Sequence, residues 1–418
     1  MIMRFIKLTT AALALGMTAG VSQADDLRFT VWTGSEAHLS MLNEFADGFK
    51  ATHPNTNITF ETIPFADYVQ KISLQIGGGN PPDMGWMLEG TAPTFIQSNI
   101  LADVSDTLQA TANYNFEDLS PSAMGLWQKD DAVYGVPFST SPFVIFYNQS
   151  LLDAAGLDNP NELHAKGEWT WGALRDMADT LADAEQGIYG FETMDGQGYD
   201  GRVWEVLVPL VRSYGGDVWQ GDTCTLNSAT AVEAVQVYHD MIFKDQSAVP
   251  PGEMGDFFNG KAALTYTQIS RASKLDEADF DWGIAPMPSG KAGSAPIIGQ
   301  AAVVVFKDSP NRALAEEFLA YMTNEAGVAR MAEFFPPARA SVLGSDAFLN
   351  SNSRLTPSAM RIVANEINNG SVMPSHVNMP VIKSATRGTF DKLWKADADI
   401  EAVFTEACSR INKQLTRK

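Results

Sequence analysis

Residues 131–157 read DAVYGVPFSTSPFVIFYNQSLLDAAGL. Two runs in this stretch, 132–136 and 143–147, are rich in Val, Ile, Phe and Tyr and too short for helices, so both read as strands. Residues 137–142 between them are small and polar and are bounded by Pro137 and Pro142, the pattern of a loop. After Asn148 the apolar residues Leu151, Leu152, Ala155 and Leu157 recur at helical spacing, and Gly156 stands where a helix should end. On residue pattern alone this is a hairpin with a proline-bounded turn in an α/β protein.

The chain upstream alternates strand and helix. LRFTVWT at 27–33 is a first strand. Leu39, Leu42, Phe45 and Phe49 then share one helical face, with Ser35 as N-cap. NITFETI at 57–63 is a second strand, followed by a helix through Tyr68, Ile72 and Ile76 that runs into Gly77-Gly78-Gly79. Asn80-Pro81-Pro82-Asp83 leads into a third strand at 84–88. A βαβαβ start implies a largely parallel sheet with ligand chemistry at the carboxyl ends of its strands.

Composition narrows the class. With 418 residues the chain exceeds the size at which one core usually grows, so two lobes are expected. The net charge of −21 and a sequence pI near 4.5 argue against nucleic acid and against an anionic membrane surface as partners. Arg4 and Lys7, the apolar run 8–19 and the small residues Ser22 and Ala24 form a secretory signal peptide over 1–24. Cleavage is expected before Asp25, and loss of Arg4 and Lys7 takes the charge from −21 to −23. No Cys follows the apolar run, so no lipid anchor is expected. No later run reaches the roughly 18 apolar residues a membrane span needs. Export permits a disulfide between Cys224 and Cys408, but the sequence leaves a bridge and two free thiols both open.

Several blocks, in order, resemble the bacterial extracellular solute-binding proteins of ABC importers, carbohydrate-binding group. They are the helix, glycine cap and Asn80-Pro81-Pro82-Asp83; Tyr134-Gly135-Val136-Pro137; 143–148 with Ala155-Gly156-Leu157; and the turn FNGKAAL at 258–264. The resemblance implies an α/β, two-lobed periplasmic-binding-protein fold. Each lobe would hold a mixed, mostly parallel sheet flanked by helices, with three hinge crossovers. It implies an N-terminal lobe of 25–137 plus 290–337 and a C-terminal lobe of 138–289 plus 338–418. The crossovers would fall at 137–142, 287–296 and 335–340.

By the same resemblance the cleft residues are Trp32, Gly34 and Glu36 after the first strand, Trp86 and Glu89 at the third, and Ser139 and Thr140 in the first crossover. From the rest of the chain come Trp204, Gln268, Ser270, Gly299, Gln300 and Arg339. A Trp can stack on the C–H face of a sugar, and a carboxylate can accept from neighbouring hydroxyls. Plain packing is the competing reading for Trp86 and Trp204. The strand over 297–306 is expected to break at Gly299-Gln300, letting a ligand approach the backbone. Leu88-Glu89-Gly90-Thr91 and Asn378–Lys383 also resemble blocks of the glycerol-3-phosphate-binding subgroup, which adds Tyr68 and Lys383 to the candidates. Lys383 stands where that subgroup has Arg, and Pro336-Pro337 where it has Tyr, which keeps a neutral glycoside or polyol ahead.

Chemistry for catalysis is thin. The five His are scattered and none has zinc-helix spacing. There is no Gly-x-Ser-x-Gly elbow. GDFFNGK at 255–261 looks like a phosphate loop, but Ala262 follows the Lys and a strand follows where a helix should stand. The expectation is a non-enzymatic, monomeric substrate-binding subunit without metal or cofactor. It captures a sugar, oligosaccharide or polyol in the periplasm for an inner-membrane ABC permease. The alternatives are a glycerol-3-phosphate or glycerophosphodiester binder, and a secreted carbohydrate-active enzyme.

Overall fold

The computed structural model describes residues 25–193, 199–253 and 255–417. The expected leader at 1–24 lies outside them. So do residues 194–198, ahead of the helix Tyr199–Ser213.

Eight strands form one mixed sheet: β1 (Asp25–Val31), β2 (Thr56–Thr62), β3 (Met84–Leu88), β4 (Val136–Asn148), β5 (Tyr189–Thr193), β6 (Ala262–Gln268), β7 (Trp282–Ala285) and β8 (Ile298–Val305). The order is β2-β1-β3-β8-β4-β6-β5, with β7 also paired to β4. β1, β2 and β3 run the same way as β4, and β8 opposes them. On the other side β5, β6 and β7 share one direction and β4 opposes it. Each half is therefore mostly parallel with one strand reversed, and the two halves share β4.

The shared strand corrects the reading of its central residues. Residues 137–142 are not a loop but the middle of a 13-residue strand. Ser139, Thr140, Ser141 and Pro142 pair with Ala301, Gln300, Gly299 and Ile298 of β8. Prolines in this stretch suggested a turn, yet Pro137 falls at the one register shift of the ladder and Pro142 at the end of its β8 pairing. Of the run 132–136, only Ala132–Val133 forms a separate strand, paired with Gln128–Lys129. Nor does β8 break at Gly299-Gln300; its irregularity lies between Ala301 and Ala302.

From Phe143 onward β4 pairs with β6, and from Ile145 also with β7. Alternate side chains then enter different cores. Val144 and Phe146 join a cluster with Phe29, Trp86, Trp127, Phe138 and Phe318, whereas Phe143, Ile145 and Tyr147 join Trp169, Trp204, Tyr238, Tyr266 and Phe404. The Asn148 side chain caps the helix Gln149–Ala155 at Leu151 N (3.0 Å), and Gly156 ends it at φ 68°.

Asp83 explains the Asn-Pro-Pro-Asp block. Its carboxylate accepts from Arg28 N (2.7 Å) and from the Ser309 hydroxyl, and its carbonyl accepts from Phe306 N, so it ties β1 to the end of β8. Cys224 and Cys408 are joined as a disulfide with Cα atoms 5.1 Å apart. It links the hairpin strand Thr223–Cys224 to the helix Ile400–Leu415 across 184 residues of chain. Closing so long a loop should stabilise the fold by about 2–5 kcal/mol. A Cys224→Ser/Cys408→Ser double variant is therefore expected to lose that amount in a urea titration; an unchanged midpoint would show the bridge to be energetically idle.

Candidate ligand-binding cleft

A cavity of about 640 Å³ opens where the two halves meet at β4. Its walls come from chain ends of both halves. Trp32 follows β1, and Glu89, Gly90 and Thr91 follow β3. Phe138, Ser139 and Ser141 come from β4, Gly299 and Gln300 from β8, and Gln268, Ile269 and Ser270 from the end of β6. The carboxyl ends of β3 and β6 supply Glu89, Thr91, Gln268 and Ser270, where ligand chemistry was expected, while Ser139, Ser141 and Gln300 come from the amino-terminal halves of β4 and β8.

One wall is aromatic. Trp32 stands edge-on to Phe65, Tyr68 and Trp86, with ring centres 5.9, 5.0 and 5.1 Å away. Trp86 stacks on Phe138 at 4.7 Å, and Phe335 meets the edges of both. His38 packs between Phe334 and Phe335 and exchanges a hydrogen bond with Thr33 Oγ1 (2.9 Å). Phe65 remains 60% exposed at the lip. Two buried residues hold this wall from behind. Tyr68 donates to Thr30 O (3.0 Å) and braces Trp32, while the Thr140 hydroxyl sits 2.9 Å from the carbonyls of both Pro336 and Pro337.

The polar side is carried by carboxyls. The Glu89 N–H donates to Gln300 O (3.2 Å), and Glu89 Oε2 accepts from Gln300 N (2.8 Å). Burial pushes Glu89 up to about 7, against the Gln300 N–H and the charge of Lys383. Glu205, on the helix Tyr199–Ser213 of the other half, faces the same space. Burial pushes it up to about 8; Lys383 opposes the shift and Glu89 adds to it. Ser141 Oγ and Glu205 Oε2 are buried without a hydrogen-bond partner among the described residues. Among the described residues no group of three or more His, Cys, Asp or Glu is placed to hold a metal.

Of the residues expected from the sequence, Trp32, Glu89, Ser139, Gln268, Ser270, Gly299 and Gln300 line the cavity together. Gln300 does so with its amide already engaged, accepting from Trp127 Nε1 and donating to Ala123 O. Tyr68, Trp86 and Thr140 stand one layer behind. Lys383, on the helix Met379–Phe390, acts on Glu89 and Glu205 through its charge. Gly34 and Glu36 are exposed and outside the lining. Trp204 is buried against Trp219 and Phe390. Arg339 is fully buried elsewhere: it donates to Thr323 O and Asn115 O (both 2.9 Å), reaches Asp118 and covers the Tyr114 ring.

Glu205, Ser141, His38, Phe65, Phe334 and Phe335 were not anticipated. Glu205 did leave a signal, as the one acidic residue inside the apolar run 203–211.

The sequence profile of the bacterial extracellular solute-binding proteins matches residues 34–329. The chain belongs to that family. A Brucella abortus protein described as a binding protein is 25% identical over 364 residues, 81% of this chain and 82% of that one. The sn-glycerol-3-phosphate-binding periplasmic protein of Pectobacterium atrosepticum is 26% identical over 340 residues, 75% and 72% of the two chains. The cyclic α-maltosyl-1,6-maltose binding protein of Arthrobacter globiformis superposes with a TM-score of 0.81 at 19% identity, over 93% of this chain and 98% of that one. Mycobacterium tuberculosis UgpB, solved with glycerophosphocholine, gives 0.76 at 19%, over 92% and 98%. At these identities the two structures speak for the two-lobed fold. As an extracellular solute-binding protein the chain acts on a small solute outside the cytoplasm.

Two non-lining groups test the electrostatics of this solute-binding protein. Glu366 is buried, accepts from Met287 N (3.0 Å), and burial pushes it up to about 7. Its proton is held more tightly folded than unfolded, so its contribution is full at low pH and is lost as pH rises through about 7. Glu366→Gln keeps an acceptor and removes the charge. The variant is expected to gain about 2–3 kcal/mol on wild type between about pH 5 and pH 8 in urea titrations; parallel pH profiles would refute it. Arg339→Ala strips a buried cation from two carbonyls and Asp118, and should cost about 3 kcal/mol or more. A loss under about 1 kcal/mol would mean the arginine carries little of the fold.

Proposed function

We propose that this chain captures a sugar, short oligosaccharide or polyol between its halves and delivers it to an inner-membrane ABC permease. The observation that carries the reading is the cavity at β4. It is lined from both halves by an aromatic wall around Trp32 and by the carboxyls of Glu89 and Glu205. Aromatic faces suit the C–H faces of sugars, and carboxyls suit adjacent hydroxyls. A ligand touching both halves binds the closed form better than the open one and shifts the population toward it. No bond is made or broken, and the protein acts as a monomer in the periplasm after removal of residues 1–24. The proposed lobes divide at 137/138, 289/290 and 337/338.

A second reading has one observation of its own. Lys383 lies close enough to favour the ionised forms of both cavity carboxyls, so a cation is at hand for a phosphodiester. The Pectobacterium and Mycobacterium relatives bind glycerol 3-phosphate and glycerophosphocholine by their descriptions.

The test is a thermal-shift screen of the mature protein against mono- and oligosaccharides, polyols and glycerophosphodiesters. A ligand at 100 times its Kd should add about 2.7 kcal/mol to native stability. A rise with a neutral saccharide or polyol is expected. A rise with glycerophosphodiesters alone would promote the second reading. No rise, accompanied by breakdown of an oligosaccharide, would overturn both in favour of an enzyme.

A further inference from the structure

The helix Tyr199–Ser213 is apolar along its middle. Val203, Trp204, Val206, Leu207, Val208, Leu210 and Val211 are all buried. Glu205 interrupts this run and turns its carboxyl to the cavity. Glu205 Oε2 reaches neither solvent nor a donor among the described residues. Glu89 is differently placed, since Gln300 N already satisfies one of its oxygens. A desolvated carboxyl oxygen without a donor destabilises the fold, and a leucine at this position would remove the cost. The groups whose charges bear on Glu205 are Lys383 from the helix Met379–Phe390 and Glu89 from the end of β3. Its charge also acts on Tyr266 of β6, whose hydroxyl has no hydrogen-bond partner among the described residues.

We propose that Glu205 is a ligand-contacting, specificity-determining residue of the second half. It accepts hydrogen bonds from the solute opposite Glu89, so that the solute is clamped between two carboxyls, one from each half. This rests on the cavity being the ligand site. The chemistry follows from the acceptors. Once ionised, a carboxyl takes donors and repels anions, so above about pH 8 the favoured solutes are donor-rich and uncharged or cationic, such as polyols, neutral saccharides and amino sugars. A phosphomonoester dianion would meet two ionised carboxyls against Lys383 and is rejected at this end of the cavity.

The test compares wild type with Glu205→Gln by Trp fluorescence titration, since Trp32 lies in the cavity wall. The probes are sorbitol, maltose, maltotriose, glucosamine and glycerol 3-phosphate. Wild type should bind at least one of the first four and discriminate against the phosphate. Glu205→Gln should weaken the preferred probe about tenfold or more and strengthen glycerol 3-phosphate by a similar factor. Glu205→Asp, which keeps the charge and withdraws it from the cavity, should show the first effect without the second. Wild type that binds no probe would overturn the reading of the cavity itself. Wild type that binds, with unchanged affinity and ranking in Glu205→Gln, would overturn the role of Glu205 and leave the cavity standing.

Discussion

The structure depends on a handover along one strand. β4 gives its first residues to β8 and its last to β6 and β7, and the change comes between Pro142 and Phe143. A strand so paired cannot slip by one residue without turning Val144 and Phe146 out of one core and Phe143 and Ile145 out of the other. The cleft forms at this point because β8 ends its pairing where β6 begins its own. The approach there is close. A side-chain carbon on Gly299 of β8 would lie 2.7 Å from Gln268 Nε2 of β6 and would make that amide shift. Aromatic wall and carboxyls are arranged around that contact.

Much of this frame was legible because strand ends and caps leave local marks. Met84–Leu88 falls where a short apolar run after Pro-Pro-Asp placed it, and Asn148, Gly156 and Thr170 cap as their types suggest. The long strand was not legible, since proline and small polar residues are the usual signature of a turn. Only the partner β8, 156 or more residues away in sequence, makes them a strand. Arg339 shows a different limit. A forked cation beside a crossover resembles a ligand clamp, but helix ends also leave carbonyls that need donors. Thr323 O, at the end of the helix Arg312–Thr323, is such a carbonyl, and Arg339 Nε supplies it. Residue type alone cannot separate these two uses of a guanidinium.

Trp204 and Glu205 illustrate the same limit on a helix. Adjacent residues point about 100° apart, so naming one neighbour as the cleft residue fixes the other as turned away. Hydrophobic periodicity normally settles the rotation, but nearly every residue from 203 to 211 is apolar and the period vanishes. Trp204 fills the second core, and the carboxyl beside it faces the cleft. In such a run the polar exception, rather than the large aromatic, marks the side on which something must be recognised.

The electrostatics give the cleft its character. The chain carries −21 overall, and exposed ion pairs such as Arg330 with Glu44 add little to a surface already well solvated. Inside the cleft the same kind of group behaves differently, because Glu89 and Glu205 have lost water and share Lys383 as a counter-charge. A protein built only for stability would replace them with apolar residues and gain by it. Their presence makes the unliganded cleft costly in proportion to its missing donors, and a solute bringing those donors recovers the cost on binding. On the proposed reading specificity and closure have one origin, since the two carboxyls belong to opposite halves and a solute reaching both would bring the halves together.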